Sequence, residues 1–311
     1  MSLEQEIALQ QFLLPGVCAL VGCWILAGTD QGEDCFEDEP VRGIGFQTLF
    51  GVAVCAIGIV VSDLWQRGII NEPTEWLTWK PSRQWERIAW MVPGCMLAMG
   101  LLRWIVSTPV QFAGIAGTFT ASIAVGTLYY SLNQKEVWED HQSLVLPWMA
   151  AGCAAAILNV SSLNSIATSG GFRWVSLVML GQFGCLAAII AQSYASLGRW
   201  CVVGMGVALG AAIVGFFSRS TTKLHYVWPL SIVVLPLGIM AVVCSVLSPF
   251  FFQSHSLPLW LTGMVLFLPT IVWAVDLVFG RIYGVWMRVF LAGSVCSLSL
   301  GAILYITKPW L

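Results

Sequence analysis

Apolar residues come in long runs separated by short polar stretches, and neither the period of two of a half-buried strand nor the narrow stripe of a surface helix organises them. Ten runs come near or exceed the roughly 20 residues that a helix needs to cross the ~30 Å hydrocarbon core of a bilayer. They cover residues 12–28, 44–62, 88–107, 110–130, 143–160, 172–197, 200–217, 226–248, 257–279 and 283–306. In lipid only helices or closed barrels satisfy every backbone hydrogen bond, and runs this long without alternation are helical. The pattern predicts an all-α, polytopic transmembrane helix bundle of about ten spans with no soluble domain, residues 1–311 forming a single integral membrane domain. The first run follows a leader with Glu4 and Glu6 and no Lys or Arg, which suits a membrane helix rather than a secretory signal.

Composition agrees with the runs. The chain is 58% hydrophobic and 10% charged, with a mean hydropathy of +0.82, which water does not solvate as a folded domain. Fourteen Lys and Arg against sixteen Asp and Glu leave a net charge of -2, so there is no basic surface for nucleic acid. Trp90, Trp104, Trp174, Trp200, Trp228, Trp260 and Trp286 lie near span ends, where indoles form interfacial belts. Ten spans place both termini on one side. Lys and Arg divide seven and seven between the sides; discounting Arg103 and Arg288, which lie inside spans and can snorkel, leaves seven against five. This favours cytoplasmic termini in a plasma, or inner, membrane.

Candidate chemistry is sparse. Nine of the ten cysteines lie in apolar runs, only Cys35 lies in a loop, and no CxxC occurs, so neither a disulfide framework nor a zinc site is indicated. The chain has no phosphate-binding loop or other nucleotide motif, no HExxH and no GxSxG, and nothing in it implies a cofactor or a metal. The loop 29–43 is an acidic run, from Asp30 to Glu39, without EF-hand spacing. The loop 63–87 carries Trp65, Trp76, Trp79 and Trp85 with Pro73 and Pro81, and suits anchoring at the interface or docking of a membrane-protein partner. Glu136, Glu139, Asp140 and His141 gather carboxylates beside an imidazole, as a membrane-embedded enzyme acting on lipid would need; a polar turn is the plainer reading.

Inside the spans the polar signals are more specific. Asp276 and Arg288 stand about six residues on either side of a turn near Ile282, so an antiparallel hairpin brings them to one depth as an ion pair. Pro236 and Pro269 offer no N–H to the carbonyls of Ile232 and Val265, which predicts a kink in each helix. Gly206 and Gly210 make one GxxxG face for close helix packing. The polar stretch 159–171 reads as the connection between spans five and six, or a re-entrant segment, and Asn159-Val160-Ser161 matches a glycosylation acceptor. Thr120, Gln182, Pro236, Pro269 and Ser294 are the candidate lining of a cavity. No ionisable residue lies at a span centre, which disfavours proton or ion coupling. The expected function is a transporter or facilitator of a small neutral or lipid-like solute, with a non-catalytic subunit that assembles with partner proteins as the alternative.

Overall fold

The computed structural model describes residues 8–29, 46–66, 88–102, 142–170, 172–190, 195–217, 227–251, 259–280 and 285–307, with scattered positions between 115 and 129. Among the described residues, all but the turn at Phe267 are helical. A π-helical stretch at Ala8–Leu13 leads into α1 (Leu14–Thr29), followed by α2 (Phe46–Gln66), α3 (Ile88–Leu102), α4 (Gln142–Gly170) and α5 (Phe172–Ile190). Then come α6 (Ala195–Phe217), α7 (Val227–Phe251), α8 (Leu259–Leu266), α9 (Leu268–Val275), a π-helical turn at Asp276–Gly280, and α10 (Val285–Thr307).

Among the described residues, four helices are long and apolar enough to cross a membrane: Ala8–Ala27, Phe46–Trp65, Ser143–Ile166 and Leu197–Phe217. A fifth is added if Leu259–Leu266 and Leu268–Phe279, which meet at 64°, make one broken span. Shorter apolar helices cover Ile88–Leu102, Trp174–Ile190, Ile232–Ser248 and Phe290–Tyr305. The outside of the bundle is apolar as well. Trp24, Phe46, Leu146, Phe217, Phe290 and Leu298 are all exposed, a surface that needs an apolar solvent around it.

Helix α7 lies at the centre. Every residue from Ile232 to Ser248 is buried, and α1, α2, α3, α4, α5, α6 and α8 all pack on it. A helix apolar on all sides fits only such a place. It stays one uninterrupted helix through Pro236, so the kink expected there does not form a break.

Close approach of α1 to α6 depends on glycine. A side-chain carbon on Gly206 would collide with the Phe12 carbonyl, and one on Gly210 with the Gly16 carbonyl, so the GxxxG face of α6 seats backbone against backbone. Pairing 12 with 206 and 16 with 210 makes α1 and α6 parallel. Other contacts set the remaining directions. Gly22 against Gly51 makes α2 antiparallel to α1, and Gly100 against Leu49 makes α3 antiparallel to α2. With four residues of chain between them, α5 and α6 pack closely on each other and so run antiparallel, while the contacts of Gly181 with Cys296 and of Trp174 beside Arg288 accompany a parallel α5 and α10. Asn159 with Thr270 and Ser165 with Trp273 make α4 parallel to α9. Trp148 Nε1 donates to Val246 O at 2.8 Å, joining the start of α4 to the end of α7. The bundle thus has a near end, where α1 begins, and a far end.

Two sequence expectations change here. The polar stretch after residue 159 is neither a connecting loop nor a re-entrant segment, because α4 continues through it to Gly170. Asn159, Ser162 and Ser165 face partners more than a hundred residues on, and Ser161 Oγ donates to the Ile157 carbonyl within the helix. Trp174 and Trp200 are not belt residues: they are 3% and 1% exposed, in the core, whereas Trp90 and Trp260 do face outward. The nine described cysteines are free thiols. The stretch from Asp63 to Gln66, expected in the Trp-rich loop, ends α2 instead, while Cys35, the acidic run, the rest of the Trp-rich loop and the cluster from Glu136 to His141 lie outside the described residues.

Candidate functional site

The break between α8 and α9 positions the most unusual polar groups. Phe267 caps α9 at φ -96° and ψ 13°, and Pro269 stands in its first turn. Backbone bonds bracket the turn, Phe267 N to Gly263 O at 3.0 Å and Ile271 N to Phe267 O at 2.9 Å. Pro269 cannot serve the Val265 carbonyl. A side chain does so instead: Gln182 Nε2 of α5 donates to Val265 O at 3.0 Å and, more weakly, to Leu266 O at 3.4 Å. Asn159 Nδ2 of α4 donates to Leu266 O at 2.8 Å. Two uncharged amides from different helices therefore satisfy carbonyls that an intact helix would have consumed.

Asn159 is saturated. Its Oδ1 accepts from Thr270 Oγ1 at 2.9 Å, and Ser162 Oγ lies 3.4 Å from that hydroxyl. Trp273 Nε1 donates to Ser165 Oγ at 2.9 Å one turn further along. With both ends of its amide in use and 3% exposure, Asn159 is not a glycosylation acceptor. Gln182 differs. Its Nε2 must face the two carbonyls, which fixes the amide orientation and turns Oε1 away, and Oε1 is buried with no partner among the described residues. Thr262 Oγ1, one turn before Leu266 on α8, is in the same condition. A buried polar group without a partner costs about 1–3 kcal/mol, and among the described residues the break carries two.

A narrow cleft opens at the far end between α4, α5, α9 and α10. Asp276 and Arg288 stand at its mouth, each side chain 19% exposed, with Arg288 Nε 3.3 Å from Asp276 Oδ1. Trp174, Val178, Ile166 and Val272 form the buried walls. Its enclosed space, about 20 Å³, is that of a single water. Trp174 Nε1 is buried and has no partner among the described residues.

At the near end a second ion pair joins α2 to α6. Arg199 Nη2 donates to Asp63 Oδ1 at 3.0 Å, with side-chain exposures of 12% and 1%, and the Arg199 guanidinium lies 5.2 Å from the Trp200 ring centre. Ser62 Oγ donates to Gln10 O at 2.7 Å beside it. Sequence reasoning placed Asp63 and Arg199 in loops. The signal was two opposite charges, each directly abutting an apolar run on the same side of the membrane, but 136 residues apart.

The candidate cavity residues fall at several places in the bundle. Gln182 and Pro269 meet at the break. Pro236 is buried inside α7 and Ser294 is half-buried on α10, and neither takes part in the described hydrogen bonds around the break. Thr120 lies outside the described residues. Comparison of the chain with protein-family models, curated proteins and solved structures finds no match. What geometry and composition define is a class: an all-helical protein whose long apolar helices and apolar exterior are those of a membrane-embedded protein.

Proposed function

We propose that the chain crosses a lipid bilayer ten times, near end cytoplasmic, and serves as a facilitator of a small uncharged solute. The helix directions support the count. α3 and α4 point the same way, so the 39 residues between Leu102 and Gln142 have to return the chain from the far end to the near end. Described positions between 115 and 129 are helical, as that return requires. With the broken pair α8–α9 counted once, the crossings number ten.

The observation that carries the functional reading is the α8–α9 break, with carbonyls held by Gln182 and Asn159 deep in the bundle. Interrupted helices in membranes line binding sites where freed backbone groups meet a solute. Here the groups are neutral, and the described charges flanking them form ion pairs near the two ends; this favours an uncharged cargo over an ion. The apolar packing around α7 favours a second reading, a non-catalytic subunit whose helices only assemble with partners.

Reconstituted proteoliposomes separate the two. Uptake of at least one small neutral solute, from a panel including glycerol, urea and an alkyl alcohol, is expected above protein-free vesicles. No flux across the panel would leave the subunit reading in its place.

A further inference from the structure

Three buried polar atoms without a partner among the described residues lie in succession, two along α5 and one on α8, which packs against it. Trp174 and Gln182 are eight residues apart on α5, with Val178 midway, so the three share one helix face. Trp174 and Val178 wall the far-end cleft, and Gln182 stands one turn further along α5, beyond the residues that line it. Across from Gln182, Thr262 stands one turn from the carbonyl that Gln182 also addresses. The succession reads, from the mouth inward, an indole N–H donor, an amide oxygen acceptor and a hydroxyl.

We propose that Trp174 Nε1, Gln182 Oε1 and Thr262 Oγ1 form the recognition path for a small uncharged hydroxyl compound. The inference rests on the facilitator reading and deepens it. An indole N–H needs an acceptor, the amide oxygen needs a donor, and the threonine hydroxyl takes either. An alcohol group supplies both in turn. A carboxylate has no donor for Gln182 Oε1, an alkylammonium has no acceptor for Trp174, and a hydrocarbon satisfies none of the three. Entry passes the Asp276–Arg288 pair, whose half-open position at the cleft mouth contrasts with the sealed Asp63–Arg199 pair at the near end. A polyol and water offer the same hydroxyl chemistry, and the measurement distinguishes them.

Proteoliposomes carrying the full chain are mixed rapidly with a glycerol gradient in one arm and with a gradient of impermeant sucrose in the other. The first reports glycerol entry and the second water flow. Thr262→Val removes the hydroxyl and keeps the shape, and since that hydroxyl has no partner among the described residues the thermal stability is expected to hold or rise. Flux in whichever arm exceeds protein-free vesicles is expected to fall about tenfold, the equivalent of one lost hydrogen bond. Trp174→Phe, which removes only the N–H, is expected to lower the same flux and guards against a fold defect in the first variant. Flux unchanged by both substitutions would overturn the path while leaving the facilitator in place. Flux confined to solutes without a hydroxyl would do the same, and no flux of any solute would overturn both.

Discussion

Replacing Arg199 with methionine is expected to destabilise the protein by about 3 kcal/mol, measured as loss of helicity when the purified protein in mixed micelles is titrated with a denaturing detergent. An exposed pair would be worth about 0–1 kcal/mol, but Asp63 is 1% exposed at its side chain and Arg199 12%. Removing the guanidinium leaves a carboxylate inside the packed junction of α2 and α6, which puts the cost in the range for breaking a buried pair. The partial exposure of Arg199 holds it at the lower end of that range. The double variant Asp63→Leu with Arg199→Met is expected to recover most of the loss, because two packed apolar chains often match a buried ion pair. A loss under about 0.5 kcal/mol for Arg199→Met would mean that solvent, not the bundle, surrounds the pair.

Asn159→Leu is the second large effect. It deletes the donor to Leu266 O and the acceptor of the Thr270 hydroxyl, two bonds of 2.8 and 2.9 Å that hold the break to α4. Each buried group left without a partner costs about 1–3 kcal/mol, while measured side-chain hydrogen bonds between membrane helices average only about 0.6 kcal/mol. Together they place the expected loss near 2 kcal/mol. Asn159→Asp is expected to be at least as damaging, because a carboxylate oxygen would replace the N–H that faces the Leu266 carbonyl. A melting curve of either variant that superimposes on the wild type would show that the break does not depend on the amide.

The long apolar runs were legible as helices because lipid imposes a strong local rule: a helix must be apolar for most of its length. Partners distant in sequence were not legible. Residues 159–170 looked like a loop because seven of them are polar and Gly170 follows, yet Asn159 and Ser165 meet Thr270 and Trp273 more than a hundred residues on. Pro236 and Pro269 gave the same local signal, and only one broke its helix. The Val265 carbonyl freed by Pro269 faces the Gln182 amide; no side-chain amide reaches the Ile232 carbonyl among the described residues. Trp174 and Trp200 looked interfacial from their places near span ends, but the packed helices around α5 and α6 bury both. The Asp276–Arg288 pairing followed from hairpin geometry because its partners are near in sequence. The Asp63–Arg199 pair obeys the same electrostatics and escaped notice because its partners are not.

The order of crossings decides which ends of the bundle hold the two ion pairs and the cleft, and impermeant thiol labelling of sealed vesicles tests it most directly. With Cys35 replaced by serine, Thr108→Cys and Gln134→Cys are expected to label from opposite faces of the membrane, since the chain must return between α3 and α4. Labelling of both from the same face would contradict the ten-crossing bundle.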